Sequence, residues 1–166
     1  MNGNDFPQAR FAEALEMLAA MPMFVEAAVA SLPPDALRHK PSPQDFSLLE
    51  HACHLRDLES EGYLVRVRRM LTEHLPQLEG FDGAAVAEAR KYLEQDADAA
   101  AHAFATARRE LTTMLSALTP ADLAREAEFA GRRICLADLV AMVVEHDRGH
   151  RDEITALLDT ESAPWK

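Results

Sequence analysis

The stretch Leu136–Asp159, LADLVAMVVEHDRGHRDEITALLD, decides the fold. Turned at about 100° per residue, it gathers Leu136, Leu139, Val140, Val143, Ile154 and Leu157 on one face, as an amphipathic helix with one side in a core does. His150 falls near the middle of that apolar arc and His146 beside it. Residues four apart project side by side from a helix, so two imidazoles placed there can share one ion. They can equally be an inward structural pair. This stretch by itself leaves both readings open.

The helical period recurs upstream. Between Gln8 and Ala20 the apolar residues Phe11, Ala14, Leu15 and Leu18 keep it, and Pro22 predicts a stop or kink before a continuation to about Ser31. LPPDALRHKPSPQDF, residues 32–46, is a Pro-rich connection with one helical turn at PDAL. SLLE, from Ser47 to Glu50, reads as a capping box that opens a second helix running to about Leu71 or His74. PQLEGFDG is the next loop, followed by a short helix over 84–93 and a long one over 96–118. Thr119 then caps, and Pro120 opens, one more turn. Alternating β-branched runs are missing, and FAGRRI at 129–134 reads as a small extended turn at most. Four principal helices with a long connection predict an all-α fold: an antiparallel four-helix bundle with short extra helical turns. A chain of 166 residues fits one core, so 1–166 reads as a single domain.

The formal net charge of -11 argues against nucleic acid, because neutralising phosphates takes clustered Lys and Arg. RVRR at 66–69 and GRR at 131–133 are short and read as solvated faces. A membrane partner is not expected either: the longest apolar stretch, Ala14 to Leu32, is broken by Glu16, Pro22 and Glu26. MNGNDFPQAR lacks the basic and apolar regions of a signal peptide. Two cysteines, Cys53 and Cys135, make no disulfide framework, and the expectation is a reduced, cytoplasmic protein with two half-buried thiols.

The second supply of histidine is LLEHACHLRDLE, residues 48–59, where His51, Cys53 and His54 can all bind a transition metal. The main apolar arc of this helix runs through Leu49, Ala52, Tyr63, Val67 and Met70, and His54 lies towards the other side with Leu58 and Val65. Periodicity therefore does not place His54 inside. His39, His74 and His102 sit in a Pro-rich loop, at a helix end and in an Ala-rich helix, and read as residues without a role in a site.

HLRD from His54 after a capped helix start, followed far along the chain by EHDRGHRDEI, resembles the DinB/YfiT-like family of bacterial four-helix proteins. The resemblance covers most of the chain. PSPQDFSLLEHACHLRD looks like that family's lead into its first ligand helix, and SALTPADLAREAEFAGRRICLADLVAMVVEHDRGH like its closing third. The resemblance implies that His54, His146 and His150 bind a divalent metal ion, zinc or nickel, with His51 at a more variable position. Two departures, Phe46 where the family often has Trp and Cys135 where it has Thr, concern the pocket wall and not the ligands.

Three neutral imidazoles leave a divalent ion an open position, as catalytic sites do. What the resemblance implies is hydrolase-like or thiol-dependent S-transferase chemistry on a small-molecule substrate, with a low-molecular-weight thiol as co-substrate and a homodimer as the assembly. The rival is a metal-stabilised binding or dimerisation module without turnover, favoured by a fourth protein ligand such as Cys53 or Glu50. Asp57 and Asp147 are candidate acceptors for ligand N–H groups, although Asp147 can instead pair with Arg151 at i, i+4.

Overall fold

The computed structural model describes residues 8–161, so most of MNGNDFPQAR lies outside the described residues. Helix α1 spans Gln8–Ala30 and carries Pro22 inside it, so of the stop or kink expected there the stop does not occur, and the helix continues close to the expected Ser31. The reason is specific. Proline has no N–H for the carbonyl four residues back, which here belongs to Leu18, and Arg108 Nη1 donates to that oxygen at 3.0 Å instead.

A single turn, α2 (Pro34–Leu37), precedes the second long element. That element is α3 (Leu48–Asp57), a π-helical turn (Leu58–Tyr63) and α4 (Leu64–Thr72) in unbroken succession. Its capping box forms as the sequence predicts: Ser47 Oγ accepts from the Glu50 N–H at 3.2 Å and Glu50 Oε2 accepts from the Ser47 N–H at 2.8 Å. The π turn explains why one helical wheel cannot place His54. An i→i+5 turn adds a residue and resets the phase, so an arc drawn through Tyr63, Val67 and Met70 does not extrapolate back to α3. Within α3 every residue from Leu48 to Leu55 is buried, His54 included.

Next come β1 (Gln77–Leu78), α5 (Gly83–Ala89) and a 3₁₀ turn (Tyr92–Glu94), which divide the region read as a loop and one short helix over 84–93. Asp96 caps α6 (Ala97–Ser116) by accepting from the Ala99 N–H at 2.7 Å, and Thr119 caps the turn α7 (Pro120–Leu123). The chain then makes a hairpin, β2 (Glu126–Phe129) and β3 (Arg132–Cys135), before α8 (Leu136–Glu161). Ala130 and Gly131 both have positive φ, 50° and 74°, which is what a two-residue hairpin turn needs. β1 joins β2 in parallel, Leu78 opposite Phe129, and β2 pairs antiparallel with β3. This small sheet sits beside the expected all-α bundle, and FAGRRI at 129–134, read as a small extended turn, forms the turn of its hairpin. Its strands bury little beyond Leu78, Ala127 and Ile134, too few side chains to leave an alternating pattern.

The four long elements form a four-helix bundle, with α1 against α6 and α8 and α3 against α6. Apolar side chains make two core clusters, one around Leu64, Leu111, Leu115 and Leu139, the other around Met21, Leu49, Phe104 and Ile154. A polar layer lies at the level of Arg108, which is 1% exposed. Arg108 donates to Glu59 at 2.6 and 2.9 Å and to Asp147 at 2.5 and 3.1 Å. Burial works against the charge on Arg108, but the two carboxylates outweigh it and hold the guanidinium protonated.

Two smaller expectations change as well. Arg66 of RVRR is buried, not solvated: it donates to the Glu79 carbonyl and stacks 4.7 Å from the Phe129 ring, tying α4 to the sheet. Cys53 is fully buried, which pushes its thiol up to about 11, and only Cys135 is half-buried. Among the described residues, no helix is long and apolar enough to cross a membrane.

Candidate metal centre

α3 presents His51 and His54 one turn apart, and α8 presents His146, His150 and Glu153 on successive turns. The bundle brings the two sets together. His54 Nε2 lies 3.3 Å from His146 Nε2, and His146 Nε2 lies 2.9 Å from His150 Nε2. The three residues predicted as ligands thus aim the same ring atom at one another across 92 residues of chain.

The donor set fits a divalent ion. Three nitrogens each at about 2.0–2.1 Å from one ion stand about 2.9–3.4 Å apart, between octahedral and tetrahedral angles. A neutral imidazole has one N–H and one lone pair, so three Nε2 atoms converging on a point share protons poorly, whereas a cation takes all three lone pairs. Burial, and then the neighbouring imidazoles, hold His54 down at about 4 and His150 at about 2, against an ordinary 6.5. His51 is held at about 3 for the same two reasons. His51, His54 and His150 are therefore neutral at pH 7.

The surroundings fix the rings. Phe46 lies 5.3 Å from the His54 ring and meets His51 edge-on at 5.6 Å, so the residue where the resembling family often has Trp remains a wall of the site. Tyr63, delivered by the π turn, meets the His146 ring edge-on at 5.8 Å. Gly83 at the start of α5 closes over His54 so tightly that a Cβ there would lie 2.6 Å from the ring. His150 Nδ1 bonds His51 Nδ1 at 2.9 Å, while Nδ1 of His54 and of His146 have no hydrogen-bond partner among the described residues.

Neither aspartate serves as an acceptor for a ligand N–H. Asp57 is taken by Arg56, Arg90 and Tyr92 at 2.6, 2.8 and 2.7 Å. Asp147 pairs with Arg108 rather than Arg151, and its nearest approach to His146 Nδ1 is 4.0 Å. Burial opposes the Asp147 charge, but His146 and Arg108 outweigh it and hold the carboxyl below its usual range. The two candidate fourth ligands also turn away, Glu50 to Ser47 and Lys40, and Cys53 to Gln95.

A cavity of about 690 Å³ opens on His51 and His150 and continues along α8 past Glu153 and Leu157 to Glu161. Its other walls include Phe46, Asp45 and His39. His39, read from sequence as a loop residue without a role, thus stands at the cavity, whereas His74 and His102 are exposed and stand apart from it. The sequence reading also passes over Glu153 and Gly83, and it names His51 as able to bind a metal but leaves it out of the ligand set. The i, i+3 spacing of His51 with His54 and of Glu153 with His150 is the signal that could find two of them.

Comparison with known proteins comes to the same architecture. The family model described as the DinB superfamily matches residues 17–154. No curated protein sequence matches the chain. Among solved structures, the chain is similar to YfiT from Bacillus subtilis, described as a probable metal-dependent hydrolase with an unusual four-helix bundle topology. That likeness has a TM-score of 0.89 at 19% identity and covers 99% of this chain and 94% of that one, which speaks to the fold.

Proposed function

The chain belongs to the DinB superfamily, and on that premise we propose that it is a metal-dependent enzyme whose ion, zinc or nickel, is held by His54, His146 and His150. One observation carries the reading: three imidazole Nε2 atoms converge beside an open cavity, and among the described residues no fourth protein ligand turns towards them. A structural zinc site is closed by four protein ligands, whereas a catalytic one keeps a position for water or substrate. The catalytic alternative is therefore preferred to a metal-stabilised binding module.

The ion, when bound, supplies Lewis acidity, which lowers the pKa of water or a thiol and polarises a carbonyl. The chain's own residues supply the rest. Phe46 and Leu157 offer apolar contact to a substrate, while Asp45, Glu153 and Glu161 line the cavity with no Lys or Arg among the lining residues. That charge favours neutral or cationic substrates and disfavours polyanionic ones. Hydrolysis of a small ester or amide and S-transfer from a low-molecular-weight thiol are the two reactions the site suits, and a small aminothiol suits its charge best.

The test uses tag-free protein stripped of metal and reloaded with zinc or nickel. It is assayed for ester and amide hydrolysis, and for conjugation of cysteamine to a chloro-nitroaromatic electrophile. The expected result is turnover that needs the ion and disappears in His54→Ala. Metal-independent turnover, or none in either assay with a fully loaded site, would overturn the enzymatic reading.

A further inference from the structure

Resting on that ion site, we propose that His51 is a positioning residue: its Nδ1 accepts the Nδ1–H of His150 and commits His150 to the tautomer whose Nε2 lone pair faces His54 and His146. The geometry is direct. Both nitrogens of His150 are engaged at 2.9 Å, Nδ1 with His51 and Nε2 with His146. His51 is itself 1% exposed and wedged edge-on against Phe46, so it has little freedom to leave.

The Nδ1···Nδ1 contact holds one proton and can run in two directions. In one, His150 donates and keeps its Nε2 lone pair for the ion. In the other, His51 donates, and His150 turns an N–H towards the triad. Glu153 selects between them. Its Oε2 lies 3.4 Å from His150 Nδ1 and 3.6 Å from His51 Nε2. A carboxylate favours N–H over lone pair on each nitrogen it faces, and only the first direction puts protons on both. His51 with Glu153 thus does for His150 what a carboxylate or carbonyl usually does for a ligating histidine.

The same three residues offer one ligand atom each within 4.8 Å, which also describes a second ion site. That reading requires His150 to bridge two ions as an imidazolate and so to lose its remaining N–H proton. A hydrogen bond needs no such ionisation.

Zinc affinity is measured at pH 7.5 by competition with a chromophoric chelator, on tag-free wild type, His51→Leu, His51→Asn and Glu153→Gln. His51→Leu removes the acceptor and is expected to bind roughly 10–100-fold more weakly, the usual cost of losing an outer partner. Asn places an oxygen where Nδ1 stood, so His51→Asn should restore affinity to near wild type. Glu153→Gln alters a side chain 63% exposed; it should leave the bundle folded and weaken zinc several-fold, so it decides the matter even if His51→Leu fails to fold. A long-range ¹⁵N–¹H spectrum of the zinc-loaded wild type should show protonated Nδ1 on His150 and protonated Nε2 on His51. Wild-type affinity in His51→Leu or, where that variant does not fold, in Glu153→Gln would overturn the assignment, as would a proton on His51 Nδ1. So would two zinc ions per chain falling to one in His51→Leu. A wild type that binds no zinc would instead overturn the ion site itself and this proposal with it.

Discussion

Gly83→Ala should separate metal affinity from folding. Gly83 is the first residue of α5, behind an Asp82 cap whose carboxylate accepts from the Ala85 N–H at 3.0 Å. An added Cβ would stand 2.6 Å from His54 Cε1 and 2.7 Å from Nδ1. Ordinary contact begins at about 3.5 Å, so the ring or the turn must give by about 1 Å. Metal–ligand bonds hold to within about 0.2 Å, and His54 Nε2 already sits 3.3 Å from its partner on His146. A displacement of that size takes His54 out of range, and zinc binding should weaken at least tenfold, about 1.4 kcal/mol. Without metal only packing resists the ring's displacement, and alanine is the better helix former by about 0.5–1 kcal/mol, so the metal-free melting temperature should fall by less than the loss of zinc affinity implies. Gly149→Ala is the control. It lies on α8 between His146 and His150 with nothing within 4 Å of its Cβ position, so it should gain stability by about 0.5–1 kcal/mol and bind zinc unchanged. Chelator competition and thermal melts of the metal-free proteins read both quantities. Wild-type affinity in Gly83→Ala, or equal losses in the two variants, would refute the steric role of Gly83.

The metal-free protein should be acid-sensitive in a defined window. His51, His54 and His150 titrate at about 3, 4 and 2 when folded and near 6.5 when unfolded. Stability is therefore fully present above about pH 6.5 and falls as pH drops towards 4, by up to about 1.4 kcal/mol per pH unit for each histidine. Urea midpoints that stay flat between pH 7.5 and 5 would contradict this. Arg108→Met leaves Glu59 and Asp147 buried without a counter-ion and the Leu18 carbonyl without its donor. A loss of about 3–5 kcal/mol is expected by denaturant titration, and a loss below 1 kcal/mol would show that the polar layer matters little. The cavity's carboxylates can be read with hydroxamates that share one metal-binding head, on cobalt-substituted protein followed by its visible spectrum. Lysine hydroxamate should bind several-fold more tightly than succinic monohydroxamate, with the preference shrinking as salt is added; equal binding would refute the charge selection.

Long helices, caps and both ligand elements are legible in the sequence because their signals are local. The Ser47–Glu50 box, the Thr119 cap and the apolar arc of α8 each depend on residues within a few positions of one another. What escapes depends on distant partners. Pro22 passes through α1 because Arg108, 86 positions away on another helix, replaces its missing donor (108 − 22 = 86). Strands of two and four residues carry no period to detect. The inward placement of His54 is hidden by the π turn, which breaks the wheel between α3 and α4. Asp147 stands four residues before Arg151 on its own helix yet pairs with Arg108 of α6, and spacing rules see only the first. The family resemblance names His54, His146 and His150 together; spacing could flag His51 and Glu153, but their contacts with the ligand rings, and that of Gly83, emerge only from the packing of α3, α5 and α8.

The most direct measurement is an anomalous-difference map at the zinc edge, from crystals of tag-free protein loaded with zinc and washed free of excess. One peak per chain should stand about 2.0–2.2 Å from Nε2 of His54, His146 and His150, and it should vanish in crystals of His54→Ala. A peak on His51, His150 and Glu153 instead, or no peak from protein that has met zinc in excess at pH 7.5, would contradict the three-histidine site.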